Sequence, residues 1–281
     1  MLPTFVIFLR EGIEASMIVA ILLSYLAQIG QRQRFRDVYL GVGAALGLVV
    51  VGGLAAYLLI ESYSGSLVQT YFETATYLLA AVVLTGMTLW MHAHAPTMAR
   101  ELRARSELAL SRSERFGLGV LAFQAVGREG LETMVFTLAI IFASTRQAGT
   151  PVHGSGVLAG AGLGLLVALG VAVLIYRLGR RLNLKVFFRV LGVLLMLFAA
   201  GLLVDAVQNM QALGWLPFGT RVLWNTSGAL PESSNLGDLA HSILGYADHP
   251  TLLQGLVWTL YVAASVAAFS LLGRRSARPA T

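Results

Sequence analysis

Arg10-Glu11-Gly12-Ile13-Glu14 stands inside the apolar run that opens the chain, and Arg128-Glu129-Gly130-Leu131-Glu132 repeats it inside a second run. Both runs are long enough for a helix that crosses a bilayer, so the two strings place four carboxylates and two guanidiniums at membrane depth. An ionisable group there costs roughly 2.5 to 3.5 kcal/mol on insertion scales and faces the bundle interior or water. Two such strings with one spelling read as a functional site.

The rest of the chain agrees with a membrane protein. Hydrophobic residues make up 57% and charged residues 12% of 281, and the mean hydropathy is +0.74. Apolar windows near residues 3–27, 38–60, 74–91, 116–145, 154–176, 188–210 and 251–272 predict an all-α polytopic fold of seven transmembrane helices. Residues 211–250 then form an extracytoplasmic loop. The first window does not read as a cleaved signal peptide, because its basic residue, Arg10, follows the apolar start and comes with two glutamates. It is expected to remain in the mature protein.

Of the 20 Lys and Arg residues, those at 32–36, 100–115, 177–189 and 274–278 fall on one side, and only Arg146 and Arg221 on the other. The positive-inside rule puts the first set in the cytoplasm, the N-terminus outside and the C-terminus inside. The net charge of +6 is then a product of topology. It points to the lipid bilayer as partner and not to nucleic acid. Residues 96–115 mix charges with Met98, Leu102 and Leu108, which suits a surface helix or a solvated loop equally. The outer loops carry Glu61, Glu73, Glu232, Asp238, Asp248, His153, His241 and His249. Such a vestibule concentrates cations, unless it only records the exclusion of Lys and Arg from that side.

A shift of 118 residues maps the first motif onto the second and helices 2 and 3 onto helices 5 and 6. Residues 1–91 and 116–210 are thus two copies of a three-helix unit. An odd number of helices per copy makes the second insert upside down. Residues 251–272 form a seventh helix outside the repeat. Gly43 and Gly47, and Gly156, Gly160 and Gly164, have the spacing of close helix contacts.

Glutamates at i and i+3 share a helix face, so Glu11 with Glu14, and Glu129 with Glu132, each form a pair that can close on one ion. Antiparallel packing of helices 1 and 4 would bring the pairs together near the midplane, and Gly12 and Gly130 would let those two helices approach. Four carboxylates in a dry interior need compensation. Arg10 and Arg128 are the supporting residues, expected to brace two carboxylates each. The rest calls for protons or a hard cation, since oxygen ligands suit hard ions. The chain has no cysteine, which excludes a thiolate site. Met17 and Met134 read as core packing. Arg10 with Glu14 and Arg128 with Glu132 could also form neutral intrahelical pairs, but Glu11 and Glu129 would remain unexplained. Glu73 and Asp205 lie toward the outer ends of helices 3 and 6 and are candidates for an inlet path. His92 and His94 read as interface residues more than as an exit site. Tyr63, Tyr71, Trp90 and Trp258 suit interfacial belts.

The duplicated R-E-G-x-E string in a seven-helix chain resembles the oxidase-dependent iron transporter family. Its members include fungal high-affinity iron permeases and bacterial permeases encoded beside a periplasmic iron-binding protein and a haem peroxidase. The resemblance implies Glu11, Glu14, Glu129 and Glu132 as the metal site, with Arg10 and Arg128 as motif positions. It implies an iron permease that is not an enzyme, in the bacterial inner membrane, with no permanently bound cofactor. The cargo is expected to be iron, ferric after oxidation by a partner, and an extracytoplasmic iron-binding or iron-oxidising protein is expected beside it. The residues alone also allow a proton-coupled transporter of Mn, Ca or Pb. No clear copy of the acidic outer motif of fungal members is present. Without the N-terminal extension of some bacterial relatives, capture of the metal would use the chain's own loops or a separate protein.

Overall fold

The computed structural model describes residues 2–63, 65–94, 104, 117–148, 154–178, 184–232 and 234–276. Seven long helices appear among them: α1 (Leu2–Gln28), α2 (Phe35–Glu61), α3 (Leu67–His94), α4 (Gly117–Ala148), α5 (Gly154–Leu178), α6 (Leu184–Ala212) and α8 (Leu252–Ser276). A short α7 (Asn235–Leu244) precedes the last of them. No strand forms among the described residues; a single antiparallel bridge joins Val222 to Thr251. The longest and shortest of the seven, 32 and 25 residues, both exceed the roughly 20 needed to span hydrocarbon.

Among the described residues, four segments are long and apolar enough to cross a membrane: Arg32–Leu59, Leu67–Met91, Arg189–Ala212 and Leu252–Leu271. α5 contributes the shorter apolar stretch Gly156–Val171. α1 and α4, which carry the motifs, are not in that set. Exposure is inverted relative to a water-soluble protein. Val50 of α2, Leu158 of α5 and Leu271 of α8 are more than 60% exposed, whereas Arg10, Glu11 and Glu14 are buried. Apolar outside and charged inside is the pattern of an integral membrane protein.

α1 packs along α5, α2 along α4 and α3 along α6, while α1 and α4 meet in the centre and α8 leans on α6. Glycines set the tight seams. A Cβ on Gly12 would sit 2.8 Å from Ala168 Cβ, and one on Gly164 2.8 Å from the Phe5 carbonyl oxygen. On the other flank a Cβ on Gly41 would lie 2.1 Å from the Gly119 carbonyl oxygen, and one on Gly130 2.6 Å from Val49 Cγ2. Gly12 and Gly130 therefore serve the α1/α5 and α2/α4 flanks and not the α1/α4 approach expected from sequence. Gly43, Gly47 and Gly156 face open space; the close contact in α2 is made by Gly41 instead.

α3 begins at Leu67, seven residues before the predicted window, because polar Gln69 and Glu73 depress hydropathy there. Gln69 Nε2 donates to Glu73 Oε1 at 2.9 Å, an i,i+4 pair that supports the extra turns. The 211–250 loop contains α7. Ser234 caps its start, its side chain accepting from Gly237 N at 3.0 Å, and Gly245 ends it at φ 67°. Gly245 also lies against Gly201 of α6, where a Cβ would come within 2.6 Å of the Gly201 Cα. The expected surface helix at 96–115, His153 and the side chains of His92, His94, Glu61 and Asp238 lie outside what is described.

Candidate metal site and its relatives

Glu11 and Glu14 on α1 and Glu129 on α4 converge. One carboxylate oxygen from each lies within 4.8 Å of the other two, the only such trio of ligand-bearing side chains among the described residues. All three residues are buried, Glu129 at 7% exposure being the most open. The helical period explains the local part, because i and i+3 carry Glu11 and Glu14 to one face of α1. The α1/α4 contact supplies the third group. Hard cations hold oxygens at about 2.0 to 2.6 Å, so oxygens up to about twice that apart can share one ion. Neither oxygen of Glu11 accepts a hydrogen bond among the described residues, and Glu129 Oε2 accepts none either. Buried acceptors without donors are rare in proteins, and these three carboxylates form the candidate site.

Glu132 stands at the edge. Its Oε1 accepts from Arg128 Nε at 2.9 Å, and its Oε2 is unpartnered. Arg10 Nε donates to Glu14 Oε1 at 3.0 Å. Each arginine thus holds one carboxylate of its own helix through Nε, and no second carboxylate is bonded to either among the described residues, against the expected bracing of two. The intrahelical pairs form as the i,i+4 spacing allows, and Glu11 and Glu129 are left outside them.

Apolar layers enclose the site. Ile7 and Phe136, one turn from Glu11 and Glu132, belong to a buried cluster with Ile140 and Phe198. Toward the other end Ile18, Leu22, Leu26, Leu118 and Ala122 form a second cluster. Of the two inlet candidates, Glu73 is buried and bonded to Gln69. Asp205 joins a group that the sequence did not link. His241 of α7 lies with Nδ1 2.8 Å from Glu232 Oε1 and Nε2 3.5 Å from Asp205 Oδ1. Pro3, Ile140 and Phe198 share a small pocket with Asp205 and His241, so this triad sits over the ends of α1 and α4 that carry Pro3 and Ile140. Asp248 pairs with His249 and accepts from the Glu232 amide at 3.3 Å. The acidic loop residues are thus partly consumed by neighbouring histidines, which weakens the anionic vestibule.

Burial disfavours the charged form of His241, but hydrogen bonds and charge from Asp205 and Glu232 outweigh it and push its pKa up to about 10. A folded value above the unfolded one, about 6.5, stabilises the loop fully below that pH and loses its effect as pH rises through about 10. Amide exchange in α7, corrected for intrinsic rates, should therefore be slowest below about pH 6.5, accelerate progressively above it and level off near pH 10. His241→Ala, which leaves Asp205 buried without its cation, should cost the loop about 3 kcal/mol at neutral pH. A flat exchange profile across pH 7 to 11 would remove the triad from the loop's stability.

Sequence reasoning missed the pairing of Arg128 with Trp90, whose ring centroid lies 5.3 Å from the guanidinium carbon. The sequence suits Trp90 to an interfacial belt instead. A basic and an aromatic residue on different helices leave no spacing signal.

No solved structure matches the chain. The ferrous iron permease EfeU of Shigella sonnei (strain Ss046) is 32% identical over 99% of this chain and 98% of its own length. That of Yersinia pestis is 30% identical over 99% and 96%. A relative in Escherichia coli (strain K12), named as an inactive ferrous iron permease EfeU, is 31% identical over 99% and 98%. Residues 1–275 match the iron permease FTR1 family. With the match running from the first helix to the last, this chain belongs to the FTR1 family of iron permeases.

Proposed function

We propose that the protein carries iron into the cytoplasm through a midplane site made by Glu11, Glu14, Glu129 and Glu132, with Arg10 and Arg128 setting the resting geometry. The observation that carries this reading is the convergence of three unpaired or half-paired carboxylates from α1 and α4 between two apolar layers. A relative named inactive is as similar as those named permeases without that word, so overall likeness does not decide activity.

The reading includes seven spans in an inverted repeat, with the N-terminus outside. Its support is the packing: the shift of 118 that maps α1 onto α4 also maps the α1/α5 seam onto the α4/α2 seam, with Gly12 against Ala168 in one and Gly130 against Val49 in the other. Single cysteines in this cysteine-free chain test the orientation. Ser66→Cys and Ser227→Cys should react with an impermeant thiol reagent outside intact cells, and Gln33→Cys only after the membrane is opened. Labelling of Gln33→Cys from outside would invert the arrangement.

The resemblance to oxidase-dependent transporters favours Fe3+, delivered by an extracytoplasmic partner, in a bacterial inner membrane. Charge favours a second reading. Four carboxylates and two guanidiniums leave two negative charges, which a divalent ion balances, and the relatives are named ferrous permeases. Uptake by proteoliposomes given Fe2+ under reductant or chelated Fe3+, each with Mn2+ as competitor, decides between them. Uptake of Mn2+ with no preference for iron would return the function to a general hard-metal transporter.

A further inference from the structure

The two motif copies differ in one respect that the carboxylate site leaves unused. The Arg10 side chain is 2% exposed and that of Arg128 is 51% exposed, although each holds a carboxylate one turn along. Arg128 lies about 16 Å along α4 from Gly117 at 1.5 Å per residue, inside a helix longer than the hydrocarbon layer of about 30 Å. Charged groups at that depth face protein or water, not acyl chains.

The packing around Arg128 leaves one face of α4 open. Val120, Gln124, Arg128 and Leu131 are exposed, and their spacing puts them on one face of α4. α2 packs beside that face through Gly41 and Gly130, and α3 packs on α4 with Trp90 exposed at its edge. α2 and α3 connect through residues 62–66, far from Trp90, and share no extensive packed seam among the described residues. The exposed face of α4 is therefore the floor of a groove between α2 and α3, and it runs toward the end of the bundle that carries Trp90 and Val120. In the orientation given above that end is cytoplasmic. On the Arg10 side, Val6 of α1 lies instead beneath Phe198 of α6 and Ile243 of α7.

We propose that this groove is the water-filled inner exit of the permease and that Arg128, stacked on Trp90, is its gate. The proposal rests on the midplane carboxylate site as the place from which the cation leaves. Arg128 occupies Glu132, the carboxylate at the edge of the site, and its guanidinium is held aside by the Trp90 ring. A cation bound by all four glutamates displaces Arg128 from Glu132. On release, Arg128 returns to that carboxylate and keeps the ion from stepping back.

Single cysteines at Gln124 and Leu131, with Val50→Cys on the outward face of α2 as the lipid-facing control, test this in inside-out vesicles. A thiol must reach water to form the reactive thiolate, so Gln124→Cys and Leu131→Cys should react with an impermeant methanethiosulfonate at least about tenfold faster than the control. Adding Trp90→Ala should raise the Gln124→Cys rate several-fold, and Trp90→Phe, which keeps a ring, should not. Reaction only with a membrane-permeant maleimide would make the face a lipid contact. Oxidative cross-linking of Gln124→Cys into dimers would make it an interface between copies. Either result overturns the exit. Labelling needs no metal, so a failed exit is distinguishable from a failed carboxylate site, which uptake by the glutamate variants reports.

Discussion

Glu129→Ala should abolish iron uptake while leaving insertion and thermal stability intact, and Glu11→Ala should do the same. Each removes an oxygen that has no structural donor to lose, so the fold gives up little. Loss of a group that merely supports a metal ligand costs about 10- to 100-fold in affinity or activity, so loss of a ligand should exceed 100-fold. Melting of the detergent-solubilised variants should be unchanged or higher, because one of several crowded carboxylates has gone. Glu14→Ala should lose transport and also some stability, since it strands Arg10 in a buried position. That difference between Glu14 and Glu129 is specific to this arrangement. Wild-type uptake by Glu129→Ala would end the reading of the trio as a metal site.

Gly130→Ala and Gly41→Ala should both destabilise the α2/α4 flank, but only the first should be rescuable. A Cβ on Gly130 meets the end of the Val49 side chain, whereas one on Gly41 meets the carbonyl oxygen of Gly119. Overpacking of this kind costs roughly 1–3 kcal/mol. Val49→Ala in the Gly130→Ala background removes the obstructing methyls and should restore most of the lost melting temperature. No side-chain change can move the backbone oxygen that obstructs Gly41→Ala. Equal rescue of both by Val49→Ala would mean that the seam is looser than its distances indicate.

The motif was legible because helical periodicity converts Glu11-x-x-Glu14 directly into a shared face, and the second copy supplied a partner for it. The role of the glycines was half legible. Sequence spacing says which face of a helix is bare, but not which neighbour occupies it, so it pairs Gly12 and Gly130 with each other's helices, whereas they meet α5 and α2. The same limit hid the outer triad. Asp205, Glu232 and His241 were each noticed, but they come from a helix end, a turn and a short helix whose meeting depends on tertiary packing. α7 itself escaped because ten residues with polar neighbours cannot raise a membrane-length hydropathy signal, and its capping residues, Ser234 and Gly245, read equally well as loop punctuation.

The intrahelical pairs have a consequence for biogenesis. Arg10 finds Glu14, and Arg128 finds Glu132, within one turn of the same segment, so each hairpin leaving the ribosome has two of its three motif charges matched before any other helix is present. Only Glu11 and Glu129 must wait for a partner more than a hundred residues away. The nascent chain can therefore partition into lipid segment by segment, and the late docking of α4 on α1 needs to accommodate one outstanding acid from each side instead of six separate charges.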